Sequence, residues 1–101
     1  MDERIAEVDI DLHKLEEALQ KFLKFVKSER FNQLSKWGLD DPEEMSNEVF
    51  FRVLIEEVLE VEEAYKAGQE IELATELIQV ATVVFAWLDC RGFLERFEVG
   101  S

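Results

Sequence analysis

The spacing of apolar residues is the feature that most constrains how this chain can fold. Three long segments repeat apolar side chains every three or four residues, and glycines or the one proline fall between them. This period places the apolar side chains on one face of an α-helix, and no segment alternates apolar and polar residues as a half-buried strand does. The sequence therefore predicts an all-α protein. The predicted helices cover about 4–28, 43–67 and 70–91, with a short fourth helix at 93–97.

Glycine and proline also predict where these helices begin and end. Pro42 follows two aspartates, a pattern typical of a helix start with an acidic cap and proline in the first turn. Gly68 and Gly92 each follow a long periodic run, as helix-ending glycines do. The segment 29–41 is the one substantial connection, and its large apolar side chains make it too apolar for a passive linker.

The third segment, 70–91, is apolar on nearly all sides, so we expect it to be the central helix or to lie in a subunit interface. A chain of 101 residues forms one domain, here residues 1–101, and its 48% hydrophobic residues can build a core. The expected architecture is a small helical bundle built on an antiparallel pair, 43–67 with 70–91. Because small domains keep much of their surface exposed, we expect a homodimer or a homotetramer.

The charge of the chain excludes one large class of function. At a net charge of −13 the protein would be repelled by the nucleic-acid backbone, and anionic membrane surfaces are disfavoured for the same reason. The longest apolar stretch, 77–88, is shorter than the roughly 20 residues that span a bilayer. A single cysteine, Cys90, and a start unlike a signal peptide are typical of a cytoplasmic protein.

Carboxylates are concentrated on the second predicted helix. Ten acidic residues and only one basic residue, Arg52, lie between Asp40 and Glu63. Such a run can be a solvated face. However, Glu57 falls in the middle of the apolar stripe of its helix, and Glu60 lies about 60° to one side. An unpaired carboxylate on a buried stripe costs several kcal/mol, so it should be neutralised, paired or bound to a cation.

The third helix offers partners for these carboxylates. If Gly68 is the turn of an antiparallel pair, residues at equal distances from it face each other: Glu60 faces Glu76, and Glu57 faces Gln79. Like charges this close cannot all stay ionised without a counter-ion. Since every ligand atom on offer is an oxygen, the expected ion is Mg²⁺, or Mn²⁺, before zinc.

These residues also lie in motifs of a known family. The run L-I-E-E-V-L-E-V at 54–61 resembles the EExxE signature of the MazG-like, all-α nucleoside triphosphate pyrophosphohydrolases. The run L-A-T-E-L-I-Q-V at 73–80 aligns without a gap with their second signature, a leucine shortly before ExxD. Lys36-Trp37-Gly38 resembles a KWG element that precedes the acidic helix in some members. The resemblance covers roughly 31–88, which is over half of the chain.

The resemblance implies a function. It implies Mg²⁺ held by both signatures, and hydrolysis of a nucleoside triphosphate to the monophosphate and pyrophosphate. Glu57, Glu60 and Glu76 match the metal ligands, and Glu56 matches the first glutamate of EExxE. Glu56 or Glu57 is expected to orient or deprotonate the attacking water. Gln79 stands where the pattern has aspartate; its amide oxygen can bind Mg²⁺ but brings no charge.

The ExxD signature can also be aligned with the third helix in a second register. It puts Glu72 and Thr75 at the ExxD positions but requires the hairpin to be four residues shorter, so we prefer the ungapped register. Neither register has the aspartate.

Binding of a triphosphate also needs groups for the base and the phosphates. Trp37 can stack on a base, or it can pack the connection onto the bundle. Lys36, Lys66, Arg91 and Arg96 are the candidate phosphate-binding cations, although such residues are more often surface charges or helix-end charges.

Two other functions remain open at this point. The missing aspartate and the apolar third helix are compatible with a weak or inactive relative that binds nucleotide or metal, or serves as a homo-oligomeric helical module. An acidic bundle that binds no ligand is the other alternative.

Overall fold

The structure, a computed structural model, describes the backbone of residues 2–37 and 45–100 and the side chains of residues 11–36 and 45–97. Within these ranges the chain is helical apart from short turns, and it contains no strand, which confirms the all-α prediction. The described residues form four helices: α1 (Asp2–Trp37), α2 (Asn47–Ala67), α3 (Glu70–Cys90) and α4 (Phe93–Gly100).

Helix α3 is the centre of the bundle. It forms an antiparallel hairpin with α2 and also packs against α1 and α4, as expected for the helix that is apolar on nearly all sides. Three of its side chains, Thr82, Val83 and Ala86, are buried. The hydroxyl of Thr82 donates to the Ile78 carbonyl at 2.7 Å, so its burial leaves the donor satisfied.

An aromatic pair joins the start of α2 to the end of α3. Phe50 is only 1% exposed, and its ring stacks on that of Trp87 with centroids 5.9 Å apart and planes 10° apart. The indole N–H of Trp87 donates to Asn47 Oδ1 at 2.9 Å. These contacts hold the open end of the hairpin together.

The other end of the hairpin is closed by Gly68. Its φ of 68° lies in the left-handed region, where glycine has no steric penalty, and its N–H donates to the Tyr65 carbonyl at 3.2 Å. Gly92, with a φ of 69°, separates α3 from α4 in the same conformation. Both glycines therefore end helices as predicted.

The start of α2 differs from the prediction of about residue 43. Ser46 caps the helix, because its hydroxyl accepts from the Val49 N–H at 3.3 Å, and residue 45 is not helical. The start predicted at Pro42, with its acidic cap, lies outside the described residues. The serine cap provides what the acidic cap was expected to provide, satisfaction of a free N–H in the first turn.

Helix α1 is longer than predicted. It continues to Trp37, so most of the segment 29–41 is helix rather than connection. The reason is that residues 29–37 contain neither glycine nor proline and continue the three-four spacing of the preceding turns. Val26 and Gln33, two turns apart, are both buried. Near its end α1 is tied to α3 by Arg30, which donates to Cys90 Sγ at 3.5 Å.

The chain is open for its size. Its radius of gyration is 16.7 Å, whereas a compact chain of this length has about 13 Å. Every residue from 11 to 25 on α1 is exposed. Many large apolar side chains on α2 and α3 are exposed as well. This shape leaves apolar surface that a compact monomer would bury.

Helix α3 also meets the length and composition of a membrane span, although the stretch 77–88 alone is too short. It has 21 residues and a mean hydropathy of 1.6 in its most apolar window. Here, however, α1, α2 and α4 pack around it. These helices cover only part of it, because just 17% of that apolar window is buried.

Candidate metal centre

The hairpin of α2 and α3 brings three carboxylates together. Glu57 and Glu60 on α2 and Glu76 on α3 each offer one oxygen, and these oxygens all lie within 4.8 Å of one another. The three-residue spacing places the first two on one helix face, and the turn at Gly68 sets the third opposite them. The predicted facing of Glu60 and Glu76 is thus confirmed. We call these three residues the carboxylate cluster.

Gln79 completes this cluster from the next turn of α3. With its amide nitrogen toward the carboxylates, it donates to Glu57 Oε2 at 2.9 Å and to Glu76 Oε2 at 3.0 Å. This confirms that Glu57 faces Gln79. Turned over, the amide would present its oxygen to the same two carboxylate oxygens, which is favourable only with a cation between them. Gln79 can therefore serve the cluster with or without an ion.

The environment of Glu57 disfavours its charged form. Partial burial on the hairpin is the main cause that raises the pKa of Glu57 to about 7. The negative charge of Glu60, and a hydrogen bond with it that only the protonated acid can donate, act in the same direction. The charges of Glu76 and Glu29 add to the effect. Near neutral pH this carboxyl therefore exchanges its proton readily.

The environment of Glu76 also disfavours its charged form. Burial is the main cause that raises its pKa, followed by a hydrogen bond with Glu60 and by the charge of Glu60. Glu72 and Glu29 contribute further repulsion. Since Glu60 acts on both half-buried carboxylates, it lies at the centre of the electrostatic coupling.

Sequence reasoning missed Glu29, which α1 brings close enough to act on both Glu57 and Glu76. It is half-buried and lies on the helix face that also carries buried Val26 and Gln33. Its signal was present in the sequence, because Glu29 interrupts the apolar stripe of α1 as Glu57 interrupts that of α2. The first helix was predicted to end at residue 28, so Glu29 was assigned to the connection rather than to a helix face.

The other residues singled out from the sequence lie elsewhere. Glu56 is exposed and is not part of the carboxylate cluster. Lys66 is exposed, and its Nζ donates to Glu62 Oε1 at 2.7 Å. Lys36 and Arg91 are exposed on α1 and after α3. The side chain of Trp37 lies outside the described residues.

The second register of the acidic motif is not the one that the hairpin brings together. Thr75 is exposed, and its hydroxyl donates to the Ile71 carbonyl of its own helix at 3.0 Å. Glu72 is also exposed and lies outside the carboxylate cluster, and its charge acts on Glu76. The geometry favours the ungapped register, with Glu76 and Gln79.

A pocket of about 430 Å³ adjoins the carboxylate cluster on the side of the Gly68 turn. Four carboxylates line it, and among the described side chains no basic residue does. Those four are Glu60, Glu63, Glu72 and Glu76. An anionic ligand would be repelled from this pocket unless cations entered first. Any phosphate-containing ligand therefore requires a metal here.

The donor set fits a hard divalent cation. Two oxygens bound to one Mg²⁺ at about 2.1 Å lie at most about 4.2 Å apart. The oxygens of the carboxylate cluster, within 4.8 Å of one another, need to contract by less than about 1 Å. Neither histidine nor cysteine belongs to the cluster, so the set favours Mg²⁺ or Mn²⁺ over zinc.

The raised pKa of Glu57 leads to a pH prediction for the metal-free protein. Between about pH 4.5 and 7 the folded protein binds more protons at Glu57 than the unfolded chain does, so stability falls as pH rises through this range. We expect the Tm in chelator to decrease from pH 4.5 to 7. The variant Glu57→Gln should show a shallower decrease, and an unchanged pH profile would contradict the assignment.

The chain matches no protein-family model, no curated protein and no solved structure.

Proposed function

We propose that this protein is a Mg²⁺-dependent nucleoside triphosphate pyrophosphohydrolase, which hydrolyses an NTP or dNTP to the monophosphate and pyrophosphate. One observation carries the proposal: three carboxylates and an amide from two facing helices converge, two of the carboxylates are half-buried, and no basic side chain in the described part of the chain pairs with them. Such a set costs stability unless a cation binds. The likeness to the MazG-like signatures supports the choice of reaction. We also propose that the protein is cytoplasmic.

The roles of the residues follow from their places in the cluster. Glu57, Glu60 and Glu76 would hold the metal, with Gln79 presenting its amide oxygen. Bound Mg²⁺ supplies the positive charge that attracts and neutralises phosphate oxygens. Glu57 would also orient the attacking water or accept its proton. Glu56, adjacent in sequence and exposed, is the alternative base.

The remaining substrate contacts would come from groups outside the acidic pocket. Trp37 is the candidate for stacking on the base, and Lys36 and Arg91 are candidates for the phosphates. Lys66 would first have to leave Glu62, a surface pair that contributes little and is therefore easily broken.

The first experiment is pyrophosphate release from a panel of ribo-, deoxy- and modified nucleoside triphosphates, with Mg²⁺, with Mn²⁺ and with chelator. We expect metal-dependent release from at least one substrate. Glu48→Gln is the matched control, because it removes one exposed carboxylate from the same helix outside the carboxylate cluster, and its partner Arg52 has no proposed role in the site. Release that continues in chelator, or no release from any substrate, would contradict the proposal.

One observation favours a second function, a binding module that has lost its chemistry. Gln79 occupies the position where the resembling family has an aspartate, so the site lacks one negative charge. For such a protein Mg²⁺ would raise the Tm, because a ligand that prefers the folded state stabilises it, while the panel would give no release.

The substitution Gln79→Asp tests how the amide is used. In chelator we expect a lower Tm, because the variant loses two donated hydrogen bonds and adds a like charge next to Glu57 and Glu76. With Mg²⁺ we expect a larger rise in Tm than for the parent, since the fourth carboxylate strengthens cation binding. Thermal unfolding in a Mg²⁺ titration measures both effects. A Tm that does not respond to the substitution in either condition would place Gln79 outside the site.

A further inference from the structure

Glu29 is a half-buried carboxylate on α1 for which the described part of the chain provides no cation. It shares one helix face with Val26 and Gln33, which are both buried where α1 packs against α3. Neither salt bridge of the described residues includes it. Its neighbour Arg30 donates to Cys90 Sγ instead. Such a carboxylate costs stability unless it is protonated, paired or bound to a cation.

From its place on α1, Glu29 is close to the carboxylate cluster. Its negative charge raises the pKa of both Glu57 and Glu76, and these two residues lie on different helices of the hairpin. Among the described residues, it is the one carboxylate from outside the hairpin that acts on either of them. Three helices therefore place carboxylates around one region.

A second polar group on the same face of α1 also lacks a partner. Gln33, one turn after Glu29, is 8% exposed, and its Oε1 is buried without a hydrogen-bond partner in the described part of the chain. A buried acceptor without a donor costs about 1–3 kcal/mol. A hydrated cation would satisfy both groups, because its charge attracts the carboxylate and its waters carry O–H donors.

The carboxylate cluster has a place for one more negative charge. At the position where the resembling motif has an aspartate, Gln79 supplies a neutral amide. The affinity of a site for a hard cation depends on how many of its ligands are charged. Glu29 does not belong to the set of oxygens that lie within 4.8 Å of one another. It would therefore act through water, and Mg²⁺ usually keeps several waters when a protein binds it.

We propose that Glu29 is a further carboxylate of the metal site, which accepts a hydrogen bond from water on the bound ion and compensates for the neutral amide at position 79. Gln33 Oε1 is the neighbouring acceptor for such a water. The inference rests on the proposed function, because it needs the carboxylate cluster to bind a divalent cation. It does not depend on which reaction the bound ion serves.

Calorimetric titration with Mg²⁺ alone tests the role of Glu29. We expect Glu29→Gln to raise the Mg²⁺ dissociation constant about 10- to 100-fold, the usual effect of losing a group that acts on a metal through its ligands. In chelator at pH 8 its Tm should be no lower than that of the parent, because the variant removes a like charge near Glu57 and Glu76. A loss of affinity would then not be due to misfolding.

Glu17→Gln is the matched control for this titration. It also removes one carboxylate from α1 and changes the net charge equally, but Glu17 is exposed and lies about 18 Å from Glu29 along the helix. We expect its Mg²⁺ affinity to equal that of the parent. An equal loss of affinity in both variants would reflect net charge alone and would overturn the proposal.

A double variant tests whether Glu29 compensates for the amide at position 79. Glu29→Gln together with Gln79→Asp moves one carboxylate from α1 to α3 and keeps the charge of the site. We expect this double variant to bind Mg²⁺ at least as tightly as the parent. If it bound Mg²⁺ as weakly as Glu29→Gln alone, the charge of Glu29 would not be what the site needs, and the proposal would be overturned.

The outcome for Glu29 can be separated from the outcome for the hydrolase. An unchanged Mg²⁺ affinity in Glu29→Gln would overturn this inference even if the parent releases pyrophosphate. Mg²⁺ binding that depends on Glu29, without release from any nucleotide, would support the inference and contradict the hydrolase. A parent that does not bind Mg²⁺ would overturn both.

Discussion

Glu57→Gln is expected to reduce metal-dependent pyrophosphate release by about 10²- to 10⁴-fold, the range for loss of a positioned acid or base. The substitution preserves the shape of the side chain and removes the one carboxylate that lies on the apolar stripe of α2 with a pKa of about 7. Glutamine cannot accept the proton from water, and as a metal ligand its amide oxygen lacks the charge that strengthens cation binding.

The same substitution is expected to raise the stability of the metal-free protein at pH 8. Above pH 7 the parent holds Glu57 in its charged form against burial and against the charges of Glu60 and Glu76, whereas glutamine is neutral and avoids this repulsion. A loss of activity together with a rise in Tm cannot be explained by misfolding. Residual activity within a factor of about two of the parent would rule out Glu57 as an essential residue. The control variant Glu48→Gln should stay active.

Phe50→Ala is expected to lower the free energy of unfolding by about 3–5 kcal/mol, the usual cost of removing a large buried aromatic side chain. Phe50 is 1% exposed and stacks on Trp87, so the substitution leaves a cavity where α2 meets α3. Since a small domain is stable by about 5–15 kcal/mol, this is a large fraction of the total. Chemical denaturation at one protein concentration measures it.

Phe97→Ala is the control for this experiment. Phe97 is 70% exposed on α4, so its truncation should change the free energy of unfolding by less than about 1 kcal/mol. If Phe50→Ala cost no more than Phe97→Ala, the packing of α2 on α3 through Phe50 would be refuted.

Much of the candidate site could be predicted from the sequence, because it lies within one hairpin. The helical period places Glu57 on the apolar stripe, and Gly68 determines which residues of α2 and α3 face each other. With a short turn there is little freedom between the two helices. The sequence alone was therefore enough to predict that Glu60 faces Glu76 and that Glu57 faces Gln79.

Contacts between distant segments could not be predicted from local sequence patterns. The approach of Glu29 to the carboxylate cluster depends on how α1 crosses α3, and the stacking of Phe50 on Trp87 depends on how the open end of the hairpin closes. Local spacing contains neither the crossing angle nor the rotation of one helix about another. Likewise, Lys66 was a candidate for phosphate binding in the sequence, but in the structure it forms a salt bridge with Glu62.

The sequence by itself determined that the chain is helical, that Gly68 and Gly92 end helices, and that carboxylates face each other across the α2–α3 hairpin. These properties follow from the backbone period and from the conformational freedom of glycine, which act over a few residues. Only the tertiary structure decided how far α1 continues, that Glu29 joins the electrostatics of the site, and that residues 11–25 of α1 stay exposed. Those outcomes depend on which surfaces compete for burial once all the helices are present, and that competition extends over the whole chain.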